Sequence, residues 1–277
     1  MTAREEDGAP AAERTGPLTP TSSPTGLAAR RRLLRGEVLA VLAVSLGANA
    51  VVAVLSFVRA LTAPEKLADQ RAPIVGLFAP GRPWLELIYQ LVNIVLVLAP
   101  IGLVVHLLHR GDESLADLGV DRRRPRSDLA RGAALAAVIG AAGLVLYLVA
   151  YALGLNRAVV PSQLPPEWWR VPLQILIAAQ NGVLEEVLVA GYLLRRLDQL
   201  GWSPGRAVLV SALLRGTYHL YQGVGGFVGN LIMGLIFGRL YQRWARAAPL
   251  VVAHTLIDVG AFVGYTLLVG RVDWIPG

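Results

Sequence analysis

The chain has 277 residues, 55% hydrophobic and 16% charged, with a mean hydropathy of +0.53. Soluble domains carry about 25% charged and about 45–50% apolar residues, so this much apolar surface does not fit inside one soluble core, and an ordinary soluble enzyme is excluded. The absence of cysteine removes disulfide scaffolds, zinc–thiolate fingers and thiol nucleophiles, while the net charge of +7 keeps nucleic acid open as a partner until the charges are located.

Residues 1–29 carry Pro10, Pro17, Pro20 and Pro24 with an acidic cluster of Glu5, Glu6 and Asp7. They read as a solvated, disordered tail with nothing to pack. Arg30, Arg31, Arg32 and Arg35 follow, so residues 1–35 form a tail with a basic juxtamembrane cluster, and 36–277 form the transmembrane domain. The apolar run from Val38 to Val58 is too long for a signal-peptide core and matches one bilayer crossing. Further runs lie at 84–108, 130–153, 171–194, 206–222, 226–242 and 249–270. The expected fold is therefore all-α, a polytopic transmembrane helical bundle of about seven spans.

Basic residues orient the bundle. With the N-terminus cytoplasmic, 18 of the 26 Lys and Arg fall in inner segments and seven in outer ones, leaving Arg215 within a span. This satisfies the positive-inside bias and explains the basicity without nucleic acid. The 109–131 loop is expected inside, and the 154–170 loop and the C-terminus outside. Lys66 is the single lysine; near-complete use of Arg with abundant Ala and Gly is what a GC-rich bacterial genome encodes, so a bacterial cell membrane is the expected location.

The first three spans are nearly free of polar residues. Glu86, Asn93 and His106 lie toward ends or alone, and His106 and His109 read as membrane-edge residues. The later spans differ. Glu185 and Glu186 are adjacent in the fourth, about ten residues or roughly 15 Å of helix from Arg195. Adjacent residues point about 100° apart on a helix, so the two carboxylates can take different roles. Asn181, four residues earlier, shares the face of Glu185. In the fifth span Arg215 and His219 are again four apart, with Tyr218, Tyr221 and Gln222 beside them. The seventh repeats the spacing with His254 and Asp258. The sixth carries Asn230 and the small-xxx-small spacings Gly225 to Gly229 and Gly234 to Gly238, which let helices approach closely. Intramembrane charges are costly and mark function, so these stripes are expected to converge on a polar cavity.

Glutamate with two histidines serves either a zinc site or a metal-free acid–base centre. Neither the His-Glu-x-x-His helix nor a Gly-x-Ser-x-Gly elbow occurs. The order of Glu185-Glu186, His219, then His254 and Asp258 across successive apolar spans resembles the CPBP family of intramembrane proteases (Abi, CAAX protease and bacteriocin-processing), whose eukaryotic relative is the Ras-converting prenyl-protein endopeptidase. The resemblance covers about residues 171–262. Two positions depart from the family pattern: Ala190 stands where the motif has Arg, and Arg215 where it has Phe. Arg215 is expected to supply the missing guanidinium by reaching Glu186; the alternatives are a side chain turned to the headgroups or a degenerate site.

The resemblance implies an endopeptidase acting on a membrane-embedded or membrane-bound substrate. Glu185 would activate water, with Glu186 beside it, His219 would orient that water, and His254 with Asp258 would polarise the carbonyl. Arg215, Asn181 and Tyr218 would support them. The cofactor is undetermined; Zn held by Glu185, His219 and His254 is the metal-dependent variant. Two other readings stand beside this one: a catalytically silent scaffold or immunity protein of the same fold, and a small proton-coupled transporter.

Overall fold

The computed structural model describes residues 24–272; most of the expected tail, residues 1–23, and the extreme C-terminus, 273–277, lie outside it. The chain is a helical bundle. Helix α1 (Pro24–Ala43) runs through the basic cluster and meets α2 (Leu46–Leu61) at a 49° bend. The segment 24–35, read from sequence as tail and flanking charge, is thus helical: its Leu, Ala and Arg are good helix formers and extend the helix N-terminally from the apolar run.

Helices α3 (Pro83–Val97) and α4 (Ala99–Arg110) form one 28-residue span interrupted at Leu98, where Pro100 has no N–H for the preceding turn. Helix α5 covers Pro125–Ala152. Helix α6 (Arg170–Glu185) widens into a π-helical segment over Glu186–Leu193 and closes as α7 (Leu194–Gln199), 30 residues in all. Helices α8 (Pro204–Tyr218), α9 (Val224–Trp244) and α10 (Ala248–Leu268) complete the bundle. Strands β1 (Arg71–Val75) and β2 (Ala158–Ser162) pair in parallel, Arg71 against Ala158 and Val75 against Ser162.

Among the described residues five spans are long and apolar enough to cross a membrane, and the bent α1–α2 pair makes up to six. The fifth expected span, at 206–222, falls short on length: α8 has 15 residues, about 22 Å at 1.5 Å per residue against a hydrocarbon core of about 30 Å.

Two close helix contacts set the site. Helix α10 lies against α6 at Gly182, where an added Cβ would come within 2.5 Å of the Thr255 hydroxyl. Helix α9 lies against α8 at Gly234, where it would meet the Ala212 Cα at 2.8 Å. The glycine spacing thus serves close approach.

The two ends of the bundle are tied differently. At the basic end, Glu113 accepts from Arg195 Nε at 2.6 Å, from Gln199 at 2.8 Å, and from Arg196. Nearby Arg246 reaches Asp121 at 3.0 Å and Asp128 at 2.6 Å. Burial pushes the Glu113 carboxyl up, but hydrogen bonds from Arg196 and Arg195 outweigh it and hold it below the ordinary Glu value. At the opposite end the Asn156 side chain accepts from the amides of Gly225 and Gly226 at 2.8 and 3.3 Å, capping α9. Gly223, with φ +119°, makes the turn into that helix, and its absent Cβ leaves room for the Leu155 carbonyl.

Candidate functional site

The fourth, fifth and seventh apolar segments deliver their polar residues to one region. Glu185 ends α6, Glu186 opens the π-helical segment, Arg215, Tyr218 and His219 come from the C-terminal end of α8, and His254 and Asp258 come from α10. The extra residue per turn of a π-bulge re-aims the side chains that follow it, and such bulges gather at functional sites. Helix α8 stops at Tyr218, so Tyr218 and His219 lie at a helix end rather than mid-span.

Glu186 is fully buried, as is Arg215 at 1% exposure. Glu186 Oε1 accepts from the Arg215 guanidinium and from His254 Nδ1 at 2.7 Å. The guanidinium also lies 3.9 Å from Glu185 Oε2 and stacks over the Phe237 ring, 5.4 Å from its centroid. It is therefore turned inward to the carboxylates and not to headgroups. Ala190, at the motif position for Arg, is buried on the facing segment, to which the Ser211 hydroxyl of α8 ties itself through the Val189 carbonyl at 3.0 Å.

Glu185 is held differently. Its Oε2 accepts the Tyr218 hydroxyl at 2.6 Å. Glu185, Tyr218, His219, His254, Asp258 and Asn181 line one cavity of about 1080 Å³. His219 Nδ1 lies 3.1 Å from the Arg215 carbonyl. A carbonyl only accepts, so Nδ1 carries the proton, and the neutral ring keeps a lone pair on Nε2. His254 has a carboxylate on each side, Glu186 at Nδ1 and Asp258 Oδ1 3.7 Å from Nε2. The latter distance is an ion-pair contact, too long for a hydrogen bond. Asn181 donates to Asp258 Oδ2 at 3.0 Å, and Gln180 donates to Asn181 at 3.0 Å.

The metal set expected from sequence changes. The group close enough to share an ion is Glu185, Glu186 and His254, with one ligand-type atom from each within 4.8 Å of the others. His219 is not part of that group. This group fits a divalent cation poorly. Glu186 Oε1 and His254 Nδ1 are 2.7 Å apart, whereas two ligands of a tetrahedral zinc at about 2.0–2.2 Å are separated by about 3.4 Å. The same Glu186 oxygen is taken by a guanidinium whose fixed positive charge a divalent ion would have to face.

Several polar partners escaped the sequence reading. Glu86, read as an end residue, is buried and accepts from the Phe78 and Ala79 amides at 2.9 and 2.7 Å and from Gln90 at 2.7 Å. The four-residue spacing of Glu86 and Gln90 was the available signal. His106 and His109 are exposed, as edge residues are. Tyr147 and Asn156 also line the cavity; both lie in segments without charged stripes, and only folding brings them there.

Residues 167–260 match the profile of the family described as Rce1-like, type II CAAX prenyl endopeptidase. The match overlies nearly the whole motif-bearing segment, from the start of α6 to the middle of α10. No curated protein and no solved structure matches the chain.

Proposed function

From the match of residues 167–260 to the Rce1-like family of CAAX prenyl endopeptidases, we propose that the chain is a glutamate-dependent intramembrane endopeptidase. The observation that carries the proposal is the different treatment of the two adjacent carboxylates. Glu186 is buried and neutralised by Arg215 and His254, so it is a structural anion. Glu185 borders the cavity with one oxygen on Tyr218, while its Oε1 has no hydrogen bond among the described residues.

Glu185 Oε1 takes a proton from a water in the cavity as that water's oxygen bonds to the scissile carbonyl carbon. His219 Nε2, an acceptor by its tautomer, accepts a hydrogen bond from the water's other O–H, which stays on the attacking oxygen, and orients the attack. The resulting alkoxide needs donors, because hydrocarbon solvates no charge. His254, when doubly protonated, offers its Nε2 hydrogen, and Asp258 with Asn181 holds that ring edge. When the C–N bond breaks, Glu185 passes its proton to the departing nitrogen. No step uses a metal, in keeping with the poor fit of the donor set. The substrate is a membrane-associated protein or peptide, and the Arg-rich composition points to a bacterial cell membrane.

The test is hydrolysis of a quenched-fluorescent peptide ending in an S-farnesylated Cys-aliphatic-aliphatic-Met sequence, with an unmodified copy alongside, by protein in lipid nanodiscs. Cleavage should fall about 10²–10⁴-fold in Glu185→Gln, with the variant still folded. Cleavage of neither peptide, or full activity in Glu185→Gln, refutes the assignment.

A further inference from the structure

The small parallel sheet has one edge paired and one edge turned to the cavity. In a strand, the N–H and C=O of one residue point to the same side, and successive residues alternate. Strand β2 meets β1 through its even-numbered residues, beginning with the Ala158 amide on the Gln70 carbonyl at 2.9 Å. Val159 and Pro161 therefore direct their backbone polar groups away from β1, and both line the cavity that holds Glu185 and His219. The Val159 amide donates to the Tyr147 hydroxyl of α5 at 3.1 Å, so among the described residues this edge is met by a side chain and not by a further strand. Pro161 has no N–H and presents only its carbonyl.

The start of β2 is fastened beside the site. Asn156 bridges Gly223, the Arg157 amide donates to the Gln222 carbonyl at 2.9 Å, and the Val224 amide donates to the Leu155 carbonyl at 3.0 Å. Gln222 is three residues beyond His219. At about 3.3 Å per residue, Val159 and Pro161 lie roughly 7 and 13 Å along the strand from that anchor. A two-stranded sheet is marginal alone, and a third strand on its free edge adds main-chain hydrogen bonds that ignore side-chain identity.

We infer that β2 is the docking edge for substrate: an extended peptide segment enters the cavity as a third strand, donating amide hydrogens to the Val159 and Pro161 carbonyls while the scissile bond lies at Glu185. This rests on the peptidase reading. It also explains how a helix-bound segment becomes cleavable, since an intact α-helix hides its carbonyls in i to i−4 hydrogen bonds.

The cysteine-free sequence makes a clean test. Full-length Val159→Cys/Glu185→Gln protein in nanodiscs is oxidised with the farnesylated peptide carrying one free Cys walked through eight consecutive positions. Strand docking predicts cross-linking that alternates with a period of two and exceeds a lipid-facing Val145→Cys control about fivefold. A period of three to four, a flat profile or parity with the control overturns it. Kinetics with the unsubstituted protein give a second reading. Replacing single peptide amides by esters should raise KM about two- to tenfold at alternate positions with kcat unchanged, and an even profile refutes strand docking. Cleavage without alternation sinks this inference and spares the peptidase; alternation without cleavage does the reverse.

Discussion

Replacing Arg215 by Met removes the cation from a carboxylate that has no exposure to solvent. Glu186 Oε2 is buried without a hydrogen bond, so all compensation of the charge enters through Oε1. Among the described residues two donors serve that oxygen, Arg215 and His254. Breaking a buried pair from one side costs about 3–5 kcal/mol. The retained His254 contact sets the loss toward the lower figure, and the lost stacking on Phe237 adds about 0.5–2 kcal/mol. Arg215→Met should therefore lose about 3–5 kcal/mol in SDS-titration unfolding from mixed micelles. Glu186→Gln with Arg215→Met removes both charges and should recover most of that loss, because no uncompensated ion remains. Ala190→Arg with Arg215→Phe offers a second rescue: the new guanidinium starts four residues from Glu186, near its face, and enters space the old one vacated. An Arg215→Met loss below about 1 kcal/mol, or a charge-free double variant no better than the single, would refute the idea that this pair neutralises a buried anion.

Incubation with 1,10-phenanthroline or EDTA should leave peptide cleavage unchanged; loss of activity that zinc restores would overturn the metal-free reading. The acid dependence of stability should include Glu113, whose folded pKa lies below its ordinary value of 4.5. The unfolded chain then binds the proton first, so this contribution is full above about pH 4.5 and is lost as pH falls through the lower folded value. Glu113→Gln should flatten that part of the curve, and an unchanged slope removes the assignment. Reporters fused after Arg126 and after Arg157 should fall in opposite compartments, with the first cytoplasmic; a shared compartment would refute the crossing of α5.

The membrane class, the helical architecture and the residues that meet in the polar cluster were readable from the chain because each is a one-dimensional property. Charge in hydrocarbon is costly wherever the helix ends up, so Glu185, Glu186, Arg215, His254 and Asp258 announced themselves by position alone. The departure at Ala190 and Arg215 was equally visible, since a carboxylate that loses one guanidinium needs another. The glycines of α9 also showed by spacing that helices would touch there, though not which ones.

Division of labour between the two carboxylates was not readable. It depends on which oxygen meets Tyr218 and which meets Arg215, and that follows from the widened turn at Glu186 and from α8 stopping at Tyr218. The same holds for His219: the helix end turns its Nδ1 onto a backbone carbonyl, and that contact leaves the ring's lone pair on Nε2. The approximate span count loses α8, whose 15 residues end at Tyr218, ahead of the polar run from His219 to Gly223 that the expected span had included in part. The β1–β2 edge joins segments more than 80 residues apart, and no local pattern encodes a pairing of that range. Burial and cost can be read along a chain; which donor reaches which acceptor is decided only when the helices pack.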